Sequence, residues 1–282
     1  MATVGTHRLG PALEQARAAG RKALVPYLML GDPDLETSVA VGRAFAEAGA
    51  DAIELGLPFS DPMADGPVIQ AAGNRALRGR LRVADALEAV GRLRAEVACP
   101  LAVMCYVNLV YARGYDGFSE AAARAGADGL IIPDIPVEES AVLAESTRRH
   151  GMDLVLMVAP TSTEERIRAV AEAASGFVYC VSVAGVTGAR ADTLARVPDT
   201  VRRVRRFTDL PLLVGFGINS PEKAAGAAAV ADGVIVASWI VDAVARLGPG
   251  ATPAERAQIA GRMVAELRAA LDDAGSRPKP TE

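Results

Sequence analysis

The run Ile53-Glu54-Leu55-Gly56-Leu57-Pro58-Phe59-Ser60-Asp61-Pro62-Met63-Ala64-Asp65-Gly66-Pro67 brings three carboxylates close together. Glu54 stands between apolar residues in a segment that reads as a strand. Asp61 and Asp65 follow in a loop rich in Pro and Gly. Burying even a neutral polar group without a partner costs roughly 2–7 kcal/mol, and an ionised one more, so a strand does not hold a carboxylate idly. A partly desolvated Glu has its pKa raised toward neutrality and can shuttle a proton. Two acids around one strand end form a layout for proton transfer. Each acid also has a plainer reading. Glu54 could be paired with an Arg or with backbone amides, and Asp61 and Asp65 could form turns or cap a helix.

Three other strand ends are small and Gly-rich: Ser182-Val183-Ala184-Gly185-Val186-Thr187-Gly188, then Gly215-Phe216-Gly217-Ile218, then Ala237-Ser238 just before a helix. No Lys or Arg stands in them before Arg190. Such loops bind phosphate through backbone N–H groups and a helix N-terminus. The alternative is that the glycines only let the chain turn. Tyr27, Tyr106 and Tyr179 fall near the ends of strands one, three and six. With Phe59, Met104 and Phe216 they either line a flat apolar pocket or belong to the core.

Composition narrows the chemistry. The 282 residues hold only two histidines, His7 and His150, so a His-based triad or a His-rich metal site is not expected. The three cysteines, Cys99, Cys105 and Cys180, form no C-x-x-C pair and read as reduced, buried thiols. A net charge of -4 argues against a nucleic-acid surface. No apolar run approaches the ~20 residues of a membrane span. The segment Met1–Arg8 lacks the apolar stretch of a signal peptide, so the expected location is cytoplasmic.

The elements that must position these groups follow a repeating pattern. Continuous apolar runs occur at Ala23–Leu30, Ala52–Leu55, Leu101–Tyr106, Gly129–Ile132, Leu154–Val158, Phe177–Val181, Pro211–Val214 and Val234–Ala237, as expected for parallel strands covered on both faces. Amphipathic stretches lie between them, at Glu36–Ala48, Arg82–Val97, Glu138–His150, Glu164–Ala173, Thr193–Phe207 and Pro221–Ala229. A theme recurs at Ala48–Ile53, Ala125–Ile132 and Val230–Val236: a small-residue helix end, then Ala-Asp or Asp-Gly, then a strand. Arg202, Arg203, Arg205 and Arg206 read as a solvated helix face. Eight strand–helix units are the arithmetic of a (β/α)8 TIM barrel of the α/β class. The surplus length fits an N-terminal helix around Pro11–Ala19, a βα-loop helix at Val68–Leu77 and a last helix at Pro253–Ala274. Residues 1–274 are expected to form one domain and 275–282 a disordered tail. A doubly wound open sheet is the rival, weakened because no G-x-G-x-x-G follows the first strand.

From about Val25 to Val241 the chain resembles the alpha subunit of tryptophan synthase. The motifs that carry the resemblance are Leu30-Gly31-Asp32-Pro33, the Glu54–Pro67 segment, Met104-Cys105-Tyr106-Val107-Asn108, Asp134-Ile135-Pro136-Val137-Glu138-Glu139-Ser140, Gly185-Val186-Thr187-Gly188 and Gly215-Phe216-Gly217-Ile218. The resemblance implies a TIM barrel that cleaves indole-3-glycerol phosphate to indole and glyceraldehyde 3-phosphate. This is a retro-aldol reaction, with no metal or organic cofactor in this chain. Glu54 matches the family's catalytic acid/base. Asp65 matches the acid that accepts the indole N–H. Tyr179 matches the tyrosine beside that Glu, with Tyr27 and Tyr106 expected in the same pocket. Gly188, Gly217 and Ser238 match phosphate-binding positions, and Thr187 the lid threonine that helps place the Asp. The implied partner is a beta subunit carrying pyridoxal phosphate, in an alpha2beta2 assembly. Pro58, Asp61, Asn108, Asp134 and Pro136 match segments facing it. The chain departs from the family at Val183-Ala184 in the lid segment, at Ala237 where Gly is common, and at Tyr27 where Phe is usual. A non-catalytic phosphate-binding subunit and a free-standing indole-releasing lyase are the competing functions.

Overall fold

The computed structural model describes residues 7–182 and 196–275. Eight parallel strands close a barrel in chain order: β1 (Ala23–Met29), β2 (Ile53–Gly56), β3 (Leu101–Met104), β4 (Gly129–Ile131), β5 (Asp153–Val158), β6 (Val178–Val181), β7 (Leu212–Gly215) and β8 (Gly233–Val236). β8 pairs back onto β1, so no edge is left. The helices around it are α1 (Leu9–Ala18), α2 (Leu35–Glu47), α3 (Pro67–Arg78), α4 (Val83–Glu96), α5 (Val107–Arg113), α6 (Tyr115–Arg124), α7 (Ala141–Arg149), α8 (Glu164–Ala173), α9 (Val197–Arg205), α10 (Pro221–Ala228), α11 (Ser238–Ala245) and α12 (Pro253–Gly275). The barrel expected from the sequence is therefore the fold, with the N-terminal and βα-loop helices in their expected places. Periodicity does not single out α5 and α6. α5 has seven residues, too few for an apolar stripe, and Gly114 (φ +79) separates it from α6.

The strands look uniformly apolar because both faces are buried, yet alternate residues go to different places. Leu24 and Leu28 of β1, Ile53 and Leu55 of β2, and Leu212 and Val214 of β7 pack outward with Phe45 of α2 and Leu93 of α4. Val25, Tyr27 and Met29, Ala102 and Met104, Phe177 and Tyr179, and Leu213 fill the barrel interior. α1 belongs to the interior cluster through Leu9 and Leu13. Glu54 alternates with the inward-facing Ala52, so the period of two carries the carboxyl into the barrel.

The recurring Asp motif acquires a specific task. Asp51 donates its N–H to Leu24 O (2.9 Å) and accepts Leu24 N–H on its carboxylate (2.9 Å). Asp128 does the same to Leu101 (2.7 and 2.8 Å), and Asp232 to Leu212 (2.9 and 2.8 Å). Ser175 uses its hydroxyl in the same way on Leu154 (2.8 and 2.9 Å). Four two-bond clasps thus satisfy the buried backbone at the first or second residue of β1, β3, β5 and β7. Arg268 reaches Asp51 (3.2 Å), Arg94 reaches Asp128 (3.1 Å) and Arg205 bonds Asp232. Arg205 is therefore more than part of a solvated face, and Arg203 likewise holds the carbonyls of Pro160 and Ser162. Among the cysteines, Cys105 and Cys180 are buried as expected, whereas Cys99 is only half-buried; all three are free thiols.

Candidate active site

The register sets Glu54 beside Tyr27 of β1 and Ala102 of β3. Its residue is 3% exposed, and among the described residues its Oε2 has no hydrogen-bond partner. Burial pushes its carboxyl from 4.5 up to about 8, and the charge of Asp65 adds to the rise. Asp65 follows β2 in the loop to α3 and is 6% exposed. Burial raises it to about 6, against a hydrogen bond from the Tyr106 hydroxyl that favours its charged form. The two carboxyls interact, so their protons leave in two steps that belong to the pair. Near neutral pH the pair holds one proton and one charge. Among the described residues the paired-acid alternative for Glu54 finds no support.

The loop that carries Asp65 is built from short local bonds. Met63 N–H donates to Asp61 O (2.9 Å) and Asp65 N–H to Pro62 O (3.2 Å). Gln70 of α3 donates its amide to Asp65 O (2.8 Å). Ala64 N–H donates to the Tyr106 hydroxyl (3.0 Å), and the Tyr106 ring stacks on Phe59 with centroids 5.1 Å apart. Pro67 opens α3, where its missing N–H costs nothing. Asp65 therefore sits just before a helix N-terminus, whose dipole favours its anion. Gln70 was not marked by the sequence, because a polar residue in the first turn of a helix has no distinctive signature.

Two glycines make room for the aromatic walls. A Cβ on Gly56 would lie 2.0 Å from the Tyr27 hydroxyl, and one on Gly215 would lie 2.3 Å from that of Tyr179. Each ring thus lies over the glycine of the next strand. The signal in the sequence is a Gly ending a strand beside one that carries an inward Tyr. Tyr27 and Tyr179 are buried, and burial together with Glu54 and Asp65 holds both phenols well above their ordinary range, so they stay neutral. Phe216 packs against Tyr179 at 5.9 Å.

At the end of β7, Phe216 (φ +73) and Gly217 (φ +75) both take left-handed backbone. For a bulky Phe this is strained, and Ser182 holds it by donating its hydroxyl to Phe216 O (2.6 Å). Ser238 is the first residue of α11, and no side chain caps that helix at Ala237. Its leading N–H groups are thus a ready anion site after β8. Thr187 and Gly188 lie outside the described residues, as do Val183, Ala184 and the tail beyond Gly275.

The remaining residues singled out by sequence follow the same strand ends, Asn108 in α5 and the others on loops. Pro58 is buried, Asp61 and Asn108 are exposed, and Asp134 and Pro136 are half-buried. Asp134 accepts Val107 N–H (2.8 Å) and so braces the start of α5. Met63 (78%) and Tyr111 (72%) are large apolar side chains exposed on these segments. Among the described residues no cluster of His, Cys, Asp and Glu could hold a metal ion. No helix there is long and apolar enough to cross a membrane.

Comparison with known proteins gives one consistent result. A family described as "Tryptophan synthase alpha chain" matches residues 13–271. The tryptophan synthase alpha chain of Carboxydothermus hydrogenoformans is 47% identical over 237 residues, 84% of this chain and 89% of its own. That of Thioalkalivibrio sulfidiphilus is 46% identical over 266 residues, 94% of this chain and 99% of its own. Among solved structures, tryptophan synthase from M. tuberculosis in its aminoacrylate-bound form superposes with a TM-score of 0.83 at 38% identity, covering 94% of this chain and 100% of that one. Tryptophan synthase subunit alpha from Legionella pneumophila gives 0.84 at 34%, covering 95% and 100%.

Proposed function

The chain belongs to the tryptophan synthase alpha chain family, and from that premise we propose that it cleaves indole-3-glycerol phosphate to indole and glyceraldehyde 3-phosphate. The observation that carries this reading is the buried Glu54 carboxyl, raised to about 8 beside an Asp65 raised only to about 6. Two carboxyls whose pKa values are pushed apart supply an acid and an anion at one pH.

Each has a distinct task. Protonated Glu54 delivers its proton to C3 of the indole ring, which turns the ring into a cationic indolenine. Asp65 accepts the indole N–H and stabilises that positive charge as it forms. Glu54, now a carboxylate, takes the proton of the glycerol hydroxyl on the carbon attached to C3. The carbon–carbon bond breaks, its electrons return to the ring, and the hydroxyl carbon becomes the aldehyde. Proton and charge are back where they began, and no cofactor in this chain enters the sequence. Tyr27, Tyr106 and Tyr179 form the walls for the ring. Gly188, Gly217 and the α11 N-terminus at Ser238 hold the phosphate through backbone amides, and Thr187 helps to place Asp65.

The family has a beta-subunit partner. Pro58, Asp61, Asn108, Asp134 and Pro136 form the face presented to it in an alpha2beta2 assembly. Indole passes to that subunit, where pyridoxal phosphate serves the joining to serine. The test is an indole-formation assay with indole-3-glycerol phosphate, with and without a beta subunit, on the parent chain and on Glu54→Gln. The substitution keeps shape and removes the acid, so turnover should fall about 10²–10⁴-fold with the fold intact. Retention of most of the turnover by a folded Glu54→Gln would reject the role of Glu54. High unassisted turnover by the parent would instead favour a free-standing lyase.

A further inference from the structure

We propose that Ser182 is a positioning residue: by gripping the turn after β7 it aims the Gly217 N–H at the substrate phosphate. The inference rests on the proposed function and adds to it a residue that acts on the substrate through another. Its ground is a pair of hydrogen bonds. Ser182 directly follows β6, whose last residue, Val181, pairs with Gly215 at the end of β7. Ser182 N–H donates to Gly215 O (3.2 Å), and the Ser182 hydroxyl donates to Phe216 O (2.6 Å). One residue thus holds two consecutive carbonyls. It is 3% exposed, so water competes little for either bond.

Those two carbonyls belong to the two peptide planes that flank Phe216. Fixing both planes fixes the backbone of Phe216 between them, which has φ +73, a region costly for a bulky side chain. Holding the second carbonyl also aims an amide. Phe216 C=O and Gly217 N–H share one planar peptide unit, trans here, in which the two groups point opposite ways. With Phe216 O bonded to Ser182, Gly217 N–H must point away from Ser182. Gly217 is exposed, and among the described residues no acceptor takes that N–H.

The direction of this one N–H carries weight for two reasons. Gly217 is a glycine at φ +75, free to adopt either sign of φ. Its own backbone therefore offers little resistance to a flip of the peptide plane, and the Ser182 hydroxyl supplies the resistance. No Lys or Arg stands in 182–188, 215–218 or 237–238, the three segments assigned to the phosphate. Anion affinity there has to come from aimed backbone amides.

The test uses the full ¹⁵N-labelled chain, Ser182→Ala, and Ser182→Cys, close in size but a weak donor. Inorganic phosphate is titrated in while the Gly217 amide signal is followed. Phosphate should shift that signal in the parent. In Ser182→Ala the Kd for phosphate should rise about five- to tenfold, as expected for one lost hydrogen bond. Ser182→Cys should fall between the two. With indole-3-glycerol phosphate, KM should rise by a like factor while kcat changes less than about twofold, because Glu54 and Asp65 are untouched. A folded Ser182→Ala or Ser182→Cys with the parent's Kd for phosphate would overturn the proposal, as would a loss confined to kcat. If phosphate leaves the parent's Gly217 amide unmoved, the phosphate site assigned above fails and this role falls with it. If the parent binds phosphate but makes no indole, the reaction alone fails, and the comparison of Kd values still decides the role of Ser182.

Discussion

At the scale of single residues, the defining feature is an acid made reluctant to ionise. Glu54 has a folded-state value of about 8 against an ordinary 4.5. Between those two pH values the unfolded chain releases the proton and the native chain keeps it. Stability contributed by this group is therefore greatest at low pH, falls as pH rises from 4.5, and is fully lost above about 8. Glu54→Gln removes the penalty. Its melting temperature should match the parent near pH 5 and exceed it by about 5–10 °C near pH 9, measured by calorimetry. An equal gap at both pH values would mean that Glu54 is not strained by burial. Much of this site was legible in the sequence, because a Glu flanked by Ile53 and Leu55 has no cheap reason to be there. The bond to Tyr106 was not, since a hydroxyl that accepts Ala64 N–H from 42 residues away leaves no local pattern.

At the scale of elements, the starts of β1, β3, β5 and β7 are backbone problems solved by the turn before the next strand. The Ala-Asp and Asp-Gly motifs are visible in the chain, but read alone they suggest only helix ends. Their function appears once Leu24, Leu101 and Leu212 are seen bound to Asp51, Asp128 and Asp232. Asp128→Ala should be costly, because it orphans Leu101 N–H and leaves Arg94, 18% exposed at its side chain, without its carboxylate. The loss should be about 2–4 kcal/mol, or about 5–10 °C in Tm, with kcat at 25 °C unchanged because the Asp128 clasp holds a strand start and bonds neither Glu54 nor Asp65. A Tm within about 1 °C of the parent would show that the clasp is dispensable. The barrel strands were readable for the same reason the clasps were not. Continuous apolar runs report burial on both faces, whereas hydrogen bonds between strand starts depend on closure of the whole sheet.

At the scale of the molecule, the barrel is a device for removing water from one carboxyl while leaving a rim free. The interior packs Tyr27, Met104 and Tyr179 with α1 in the same cluster, while the loop after β2 carries the exposed Met63 and α5, after β3, the exposed Tyr111. Length and strand count point to this closed form from sequence alone. The depth to which Glu54 is carried does not follow from length or count, since it depends on register, alternation and the room left by Gly56. That depth is what sets its protonation near neutral pH, and protonation is what the proposed cleavage begins from. The direct measurement is a ¹³C NMR titration of the Glu54 carboxyl in the folded chain, assigned by its loss in Glu54→Gln. A midpoint near 8 is the expected result; a midpoint at the ordinary 4.5 would contradict the buried acid and the mechanism built on it.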